Sequence, residues 1–269
     1  MTVNSDDLDL WPLAREASRL LMEYHGPRRS ELSVRSKGEP DDLVTCADGA
    51  VQELAVRWLA ERSELPVLGE EGGVDEGGAA FWSLDPLDGT REFVAGLHEF
   101  AFQLALVRNG EPVLAVLALP ACDTAYLARL GGGVRSLRIS DSQILPTFPI
   151  SAGPERLVLS RSLEHRPDLQ RLVTGHPAPE RLSCGGVGAK IHAILHGDAD
   201  TYLATPRGMY GWDLAAPLLV AREAGLWVSD LSGQPLQVPN HRGRVEPGIL
   251  VTRPTLKDAN LAYLRNRVG

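Results

Sequence analysis

The sequence predicts an α/β protein with an α+β N-terminal half and an α/β C-terminal half. Apolar residues recur at helical spacing in 9–24 and 47–62, which predicts two amphipathic helices. Two long apolar runs flank Asn109-Gly110, a strong signal for a β-hairpin. Further along, strand-like and helical segments alternate, which favours an α/β layer. We therefore divide the chain into 1–145, with helices on an antiparallel sheet, and 146–269, an α/β half.

The elements of the first half follow from periodicity and turn residues. Thr45 and Asp48 have the T-x-x-D spacing of a capping box at the start of the second helix. Acids then follow short apolar runs with the character of strands. The strands are expected at 66–69, 80–84, on both sides of the hairpin turn and at 124–128.

The second half is predicted in the same way. The proline-containing segment 140–154 marks its start. Strands are expected at 156–160, 200–204, 226–230 and 248–252. Helices are expected at 186–196, at 213–224 and from 256 onward.

Charge and composition exclude several classes of function. The 269 residues carry a net charge of −8, which argues against sequence-independent binding to a nucleic acid polymer. No segment approaches the roughly 20 unbroken apolar residues of a membrane span. The acidic N-terminal segment lacks the features of a signal peptide, so we expect a cytoplasmic protein. The three cysteines are expected to be buried and reduced.

Four acids occupy positions that suit a metal site. Glu70 follows one predicted strand, Asp85 and Asp88 follow the next, and Asp213 opens a helix. Carboxylates at the ends of buried strands are costly unless their charge is offset. Mg²⁺ prefers oxygen ligands, so it is the natural partner. Taken singly, the same residues are ordinary turn formers, solvated strand ends or helix N-caps.

The DPLDGT segment is expected to combine metal ligands and a phosphate-binding site in one short turn. Pro86 shapes a predicted turn in which the two aspartates point to one side, and the Leu87 carbonyl adds an oxygen. The backbone N–H groups of Gly89 and Thr90 suit a phosphate. Two metal ions about 4 Å apart would then hold the attacking water and the leaving oxygen.

Four motifs resemble a known superfamily. They are DLVTCAD (42–48), GEE (69–71), WSLDPLDGTREF (82–93) and WDLAAPLLVAREAG (212–225). They are similar to the signature blocks of the lithium-sensitive, magnesium-dependent phosphatases, which include inositol monophosphatases, fructose bisphosphatases and 3′(2′),5′-bisphosphate nucleotidases. The resemblance implies a layered α-β-α-β-α sandwich with the site between its halves.

The resemblance also implies a role for each matching residue. Asp48 and Thr90 would orient and deprotonate the attacking water, and Gly89 and Thr90 would bind the phosphate. Water would attack in line, without a phosphoenzyme. Two or three Mg²⁺ ions would be held by Glu70, Asp85, the Leu87 carbonyl, Asp88 and Asp213.

A narrower resemblance concerns the substrate. DPLDGTREF and the segment 185–217 look like the bisphosphate nucleotidase branch, which implies that Gly186 and Lys190 contact a nucleotide and Ser160 a phosphate. Leu163 departs from that branch, where a substrate-contacting histidine is found. The inositol branch has a glutamate where this chain has Pro206, followed by Arg207.

The favoured expectation is hydrolysis of 3′-phosphoadenosine 5′-phosphate to the monophosphate. One alternative is a phosphatase for another small ester, such as an inositol, sugar, histidinol or specialised biosynthetic phosphate. A non-catalytic metal-binding regulatory protein is the alternative from another class. A homodimer is also possible.

Overall fold

The computed structural model describes residues 7–36, 43–146, 153–206 and 209–267. The helices of these ranges are α1 (Trp11–His25), α2 (Cys46–Ala60), α3 (Thr90–Ala95), α4 (Pro167–Val173), α5 (Val187–His196), α6 (Gly211–Glu223) and α7 (Lys257–Arg265). The strands are β1 (Val34–Ser36), β2 (Leu43–Thr45), β3 (Val67–Gly69), β4 (Gly72–Gly73), β5 (Ala80–Asp88), β6 (Ala101–Arg108), β7 (Glu111–Leu119), β8 (Thr124–Arg129), β9 (Gly133–Arg138), β10 (Arg156–Ser160), β11 (Glu180–Cys184), β12 (Thr201–Ala204), β13 (Trp227–Asp230) and β14 (Ile249–Thr252). None of these helices is both long and apolar enough to cross a membrane.

Two large sheets organise the described residues. The first has seven strands in the order β4-β3-β5-β6-β7-β8-β9 and is antiparallel except between β3 and β5. The second has five strands in the order β11-β10-β12-β14-β13, in which β10 runs parallel to both its neighbours and β14 antiparallel to both of its own. The small strands β1 and β2 form a separate pair.

Three hydrophobic clusters show how the layers stack. Helices α1 and α2 cover one face of the seven-stranded sheet. Helices α5 and α6 fill the space between the two sheets. Helices α4 and α7 cover the outer face of the five-stranded sheet. These layers form an α-β-α-β-α sandwich, which confirms the predicted fold class.

The hairpin turn was predicted correctly. Asn109 and Gly110 have φ values of 50° and 80°, and Arg108 pairs with Glu111 on either side of them. A two-residue turn with two positive φ angles matches the right-handed twist of the flanking strands. Asparagine and glycine are the residues that adopt these angles at least cost.

The predicted turn at DPLDGT is wrong in one respect. Strand β5 does not end at residue 84 but continues to Asp88, with a register shift after Asp85. Asp85 pairs with Gln103 and Asp88 with Ala101, so two residues of β5 face one residue of β6 and one extra residue bulges out of the ladder. A bulge tolerates Pro86 because no ladder hydrogen bond needs its missing N–H. The turn begins only at Gly89.

All three cysteines are free, as expected, but the expected burial is met in full by Cys184 and not by the other two. Cys184 is buried and Cys46 half-buried, but Cys122 is exposed. Cys122 lies in the short helical turn between β7 and β8, where the chain passes over the surface.

Candidate active site

Asp48 and Thr90 meet at the start of α2, and helix capping explains how. The Thr45 amide and hydroxyl donate to Asp48 Oδ2 at 2.8 and 2.6 Å. Asp48 Oδ1 is left to accept the Thr90 hydroxyl at 3.2 Å. The capping box and the Thr90 contact therefore use different oxygens of one carboxylate. Burial raises the pKa of Asp48 to about 6, against the opposing effect of the Thr45 hydrogen bonds.

The segment just after β5 brings Thr90 to that carboxylate. The Thr90 hydroxyl lies 3.0 Å from the Leu87 carbonyl as well as facing Asp48. Gly89 has a φ of 84°, and a Cβ there would lie 2.6 Å from the Glu99 carbonyl oxygen. Only glycine fits this close approach, which directs the chain from β5 into α3.

Asp85 is the most buried of the four acids predicted to hold a metal ion. Its Oδ1 accepts the Leu87 amide at 3.0 Å. Its Oδ2 is buried and has no hydrogen-bond partner among the described residues. Burial raises the pKa of Asp85 well above its usual value, and the charges of Glu70, Asp88 and Asp213 raise it further. An unpartnered carboxylate oxygen among other acids is costly unless a cation offsets it.

Asp88 and Asp213 each accept hydrogen bonds at the start of a helix. Asp88 accepts the amides of Val187 and Gly188 of α5, at 3.1 and 2.7 Å. Asp213 accepts the Tyr210 amide at 2.7 Å. Burial raises the pKa of Asp88 to about 6, while the charge of nearby Lys190 opposes the rise. Burial and the charges of Glu70 and Asp88 raise the pKa of Asp213 well above its usual value.

A cavity of about 190 Å³ opens beside these acids. Its lining combines three predicted substrate-binding residues with two of the predicted metal ligands. Ser160, Gly186 and Lys190 line it together with Asp88 and Asp213. The buried Lys190 ammonium donates to the carbonyls of Gly185 and Gly186, the second at 3.1 Å. A Cβ on Gly186 would lie 2.3 Å from Asp88 Oδ1, so glycine is needed for this contact.

The sequence analysis missed Arg166, which lines the same cavity. Its guanidinium donates to both carboxylate oxygens of Asp168, at 3.1 and 2.9 Å, and to the Thr205 hydroxyl at 2.7 Å. Thr205 lies 39 positions along the chain, and no local pattern marks such a contact. Leu163 packs against the outer cluster of the five-stranded sheet, and Pro206 is exposed. Arg207 lies outside the described residues.

Comparison with known proteins decides the family. The sequence model of the inositol monophosphatase family matches residues 9–268. The chain belongs to the inositol monophosphatase family. It is 36% identical over 209 residues to an inositol-1-monophosphatase of Rhizobium meliloti, covering 75% of this chain and 77% of that one. It is 30% identical over 260 residues to the 3′(2′),5′-bisphosphate nucleotidase CysQ of Escherichia coli strain K12, covering 89% and 96%.

Solved structures of the inositol monophosphatase family have the same fold. An IMPase of Thermotoga maritima superposes with a TM-score of 0.76 at 24% identity, over 96% of both chains. CysQ of Bacteroides thetaiotaomicron superposes with a TM-score of 0.70 at 28% identity, over 90% of this chain and 94% of that one. The resemblance drawn from the motifs is confirmed, and the protein is a phosphatase of this family. Some of its relatives are named inositol monophosphatases and others bisphosphate nucleotidases, so these names do not identify the substrate of this chain.

The inositol monophosphatase family is generally Mg²⁺-dependent, and the chemistry of this site fits such an ion. All the predicted donors are oxygens, which suit Mg²⁺, and Asp85 Oδ2 is buried without a partner among the described residues. Within 7–36, 43–146, 153–206 and 209–267, no three His, Cys, Asp or Glu side chains form a ready metal cluster. Both carboxylate oxygens of Asp88 already accept hydrogen bonds from backbone amides of α5. The individual metal ligands, the number of ions, the dimer and the cytoplasmic location therefore stay predictions.

Proposed function

We propose that this phosphatase removes one phosphate from a nucleoside bisphosphate such as 3′-phosphoadenosine 5′-phosphate, with two or three Mg²⁺ ions held by the predicted ligands. The observation that carries the proposal is the pairing of acids and cations in one cavity. Two predicted metal ligands, Asp88 and Asp213, line this cavity together with two cationic residues, Lys190 and Arg166. A substrate with a second phosphate needs a cation beyond the metal ions to compensate its charge.

Thr90 and Asp48 account for the transfer of the proton from the attacking water. Because the Thr90 hydroxyl donates to Asp48 Oδ1, its oxygen lone pairs can accept a hydrogen bond from the attacking water. A pKa of about 6 makes Asp48 a stronger base than an exposed aspartate, yet one still ionised at neutral pH. The proton of the water then passes by way of Thr90 Oγ to Asp48 as the water oxygen bonds to phosphorus and the bond between phosphorus and the ester oxygen breaks. The leaving oxygen takes up a proton from solvent water and departs as the alcohol.

Bound Mg²⁺ would lower the pKa of the water and shield the charge of the phosphate. The other predicted contacts orient the ester. The amides of Gly89 and Thr90 would bind the reacting phosphate, and Ser160 would contact it from the other side of the cavity. Gly186 and Lys190 would contact the nucleotide.

A smaller ester is the second candidate, favoured by two observations. The cavity beside the acids measures about 190 Å³, which is small for a whole nucleotide. A relative named inositol-1-monophosphatase shares 36% identity with this chain. Leu163 packs into an apolar cluster and supplies no polar group to the cavity, which is compatible with either substrate.

Phosphate release from a panel of substrates tests the proposal. The panel is 3′-phosphoadenosine 5′-phosphate, inositol 1-phosphate, fructose 1,6-bisphosphate and histidinol phosphate, each with Mg²⁺ and with a chelator. We expect Mg²⁺-dependent, lithium-inhibited turnover with kcat/KM at least about tenfold higher for the nucleotide, a difference of about 1.4 kcal/mol. Equal turnover of all four would contradict the nucleotide preference. Binding of Mg²⁺ without turnover of any would favour the regulatory alternative.

A further inference from the structure

Arg242 contacts the two segments that carry the predicted metal ligands Glu70 and Asp213. It lies in the long connection between β13 and β14. One guanidinium nitrogen donates to the Gly69 carbonyl at 2.8 Å and another to the Glu70 carbonyl at 2.9 Å. These two carbonyls belong to the peptide planes on either side of the Glu70 Cα. Holding both restricts the backbone rotation that directs the Glu70 side chain.

The same connection also reaches the segment that carries Asp213. The Val245 amide donates to the Met209 carbonyl at 2.8 Å, and Tyr210 pairs with Arg244 in an isolated bridge. The Arg242 guanidinium lies 5.4 Å from the ring centroid of Trp212, the residue just before Asp213.

Backbone contacts also hold residues 240–242 of the connection beside the segment that follows Glu70. The Gly77 amide donates to the Asn240 carbonyl at 2.7 Å, and the Arg242 amide to the Asp75 carbonyl at 3.2 Å. The stretch 240–245 is therefore tied both to the segment that follows Glu70 and to the segment that precedes Asp213.

We propose that Arg242 is a positioning residue that sets Glu70 relative to Asp213 and thereby determines the affinity for Mg²⁺. The proposal rests on the proposed metal site. Arginine suits the task because its planar fork presents N–H groups to two carbonyls at once, whereas lysine offers a single point charge. Partners that orient metal ligands commonly change metal affinity by 10–100-fold when they are removed.

Charge and positioning predict opposite results, which makes the proposal testable. Arg242 is a cation near a cluster of acids. If it acted only through its charge, its removal would strengthen Mg²⁺ binding because less repulsion would remain. If it holds Glu70 in place, its removal weakens Mg²⁺ binding despite the lost repulsion.

The experiment is direct titration of the metal-free, full-length protein with Mg²⁺ in a calorimeter. The variants are Arg242→Gln, Arg242→Lys and the control Arg171→Gln, which removes an exposed cation from α4. We expect the Kd for Mg²⁺ to rise about tenfold in both Arg242 variants. In the control it should stay within twofold of the unaltered protein or fall. Half-saturating Mg²⁺ in the phosphatase assay should rise in parallel, with substrate KM at saturating Mg²⁺ unchanged.

Thermal unfolding without metal separates a folding defect from a loss of positioning. Should Arg242→Gln fail to fold, Arg242→Lys decides the matter, because it keeps the charge and most of the apolar stem. Equal or tighter Mg²⁺ binding by folded Arg242→Gln, or unchanged binding by Arg242→Lys, would overturn the proposal. Absence of Mg²⁺ binding by the unaltered protein would overturn the proposed function along with it.

Discussion

The two sides of the cavity are built in different ways. On the metal side, Asp85 and Asp88 belong to β5, a buried strand paired on both edges within the seven-stranded sheet. On the other side, Ser160 ends β10, Arg166 precedes α4 and Gly186 precedes α5. Asp85 and Asp88 thus stand on a paired strand, while Arg166 and Gly186 stand on connections between elements. Connections vary more readily than paired strands, so this arrangement allows a new substrate without loss of the metal chemistry.

The largest effect is expected from Asp85→Asn on the strand side. This change removes a charge proposed to hold Mg²⁺, so we expect turnover to fall by about 10³-fold or more. The metal-free fold should be retained, since the buried carboxylate repels its neighbours. Phosphate release and thermal unfolding check both effects, with the exposed Asp258→Asn as control. Turnover close to that of the unaltered protein would contradict the assignment of Asp85.

The titration of Asp48 offers a second test of the strand side. Its pKa rises from 3.8 to about 6 on folding, so the folded state binds more protons between these values. The contribution of Asp48 to the free energy of unfolding is fully present below pH 4 and is lost as the pH rises through 6. For a pKa shift of this size, the contribution amounts to about 3 kcal/mol. In Asp48→Asn, the free energy of unfolding should therefore fall less steeply between pH 4 and pH 6 than in the unaltered protein.

Urea unfolding of both metal-free proteins between pH 4.5 and 7.5 measures the difference. The other buried acids titrate in both proteins, so the comparison isolates Asp48. Identical declines would show that Asp48 does not titrate as its burial predicts.

Thr90→Val tests the proposed proton path with a somewhat smaller effect. Loss of the hydroxyl that donates to Asp48 should lower kcat about 100-fold, within the range for general acid–base catalysis, with little change in KM. Thr90→Ser keeps the hydroxyl and should restore most of the activity. A Val variant with normal kcat would exclude Thr90 from the reaction.

The smallest effect is expected on the connection side, from Arg166→Gln. Losing one cation of the cavity should raise KM for 3′-phosphoadenosine 5′-phosphate about tenfold, or about 1.4 kcal/mol, and leave inositol 1-phosphate unaffected. Arg171→Gln, exposed and also on the α4 side of the sheet, is the control. An equal loss for both substrates would mean that Arg166 supports the fold and does not select the substrate.

Local patterns predicted the features that local interactions create. The periodicity of α1 and α2, the capping box at Asp48 and the Asn109-Gly110 turn each depend on residues a few positions apart. The candidate metal ligands were also proposed from local patterns, since Glu70, Asp85 and Asp88 follow apolar runs and Asp213 opens a helix.

Long-range pairing accounts for what the sequence did not reveal. Whether the DPLD segment is a turn or a bulged strand depends on its pairing with β6, about 15 residues away. Strand β11 is mostly exposed and carries charged residues, so it shows no alternation. Arg166 and Arg242 take their significance from Thr205 and Glu70, far along the chain.

The position of α6 has a consequence for biosynthesis. This helix is buried on nearly all sides and packs on β5, β6, β7 and β8, which are synthesised long before it. While a ribosome extends the chain, the seven-stranded sheet can acquire α1 and α2 on one face, yet its other face is not fully covered until α5 and then α6 emerge, about 90 residues after the sheet. The nascent protein therefore passes through a stage with an uncovered apolar sheet, at which a chaperone would be most useful to it.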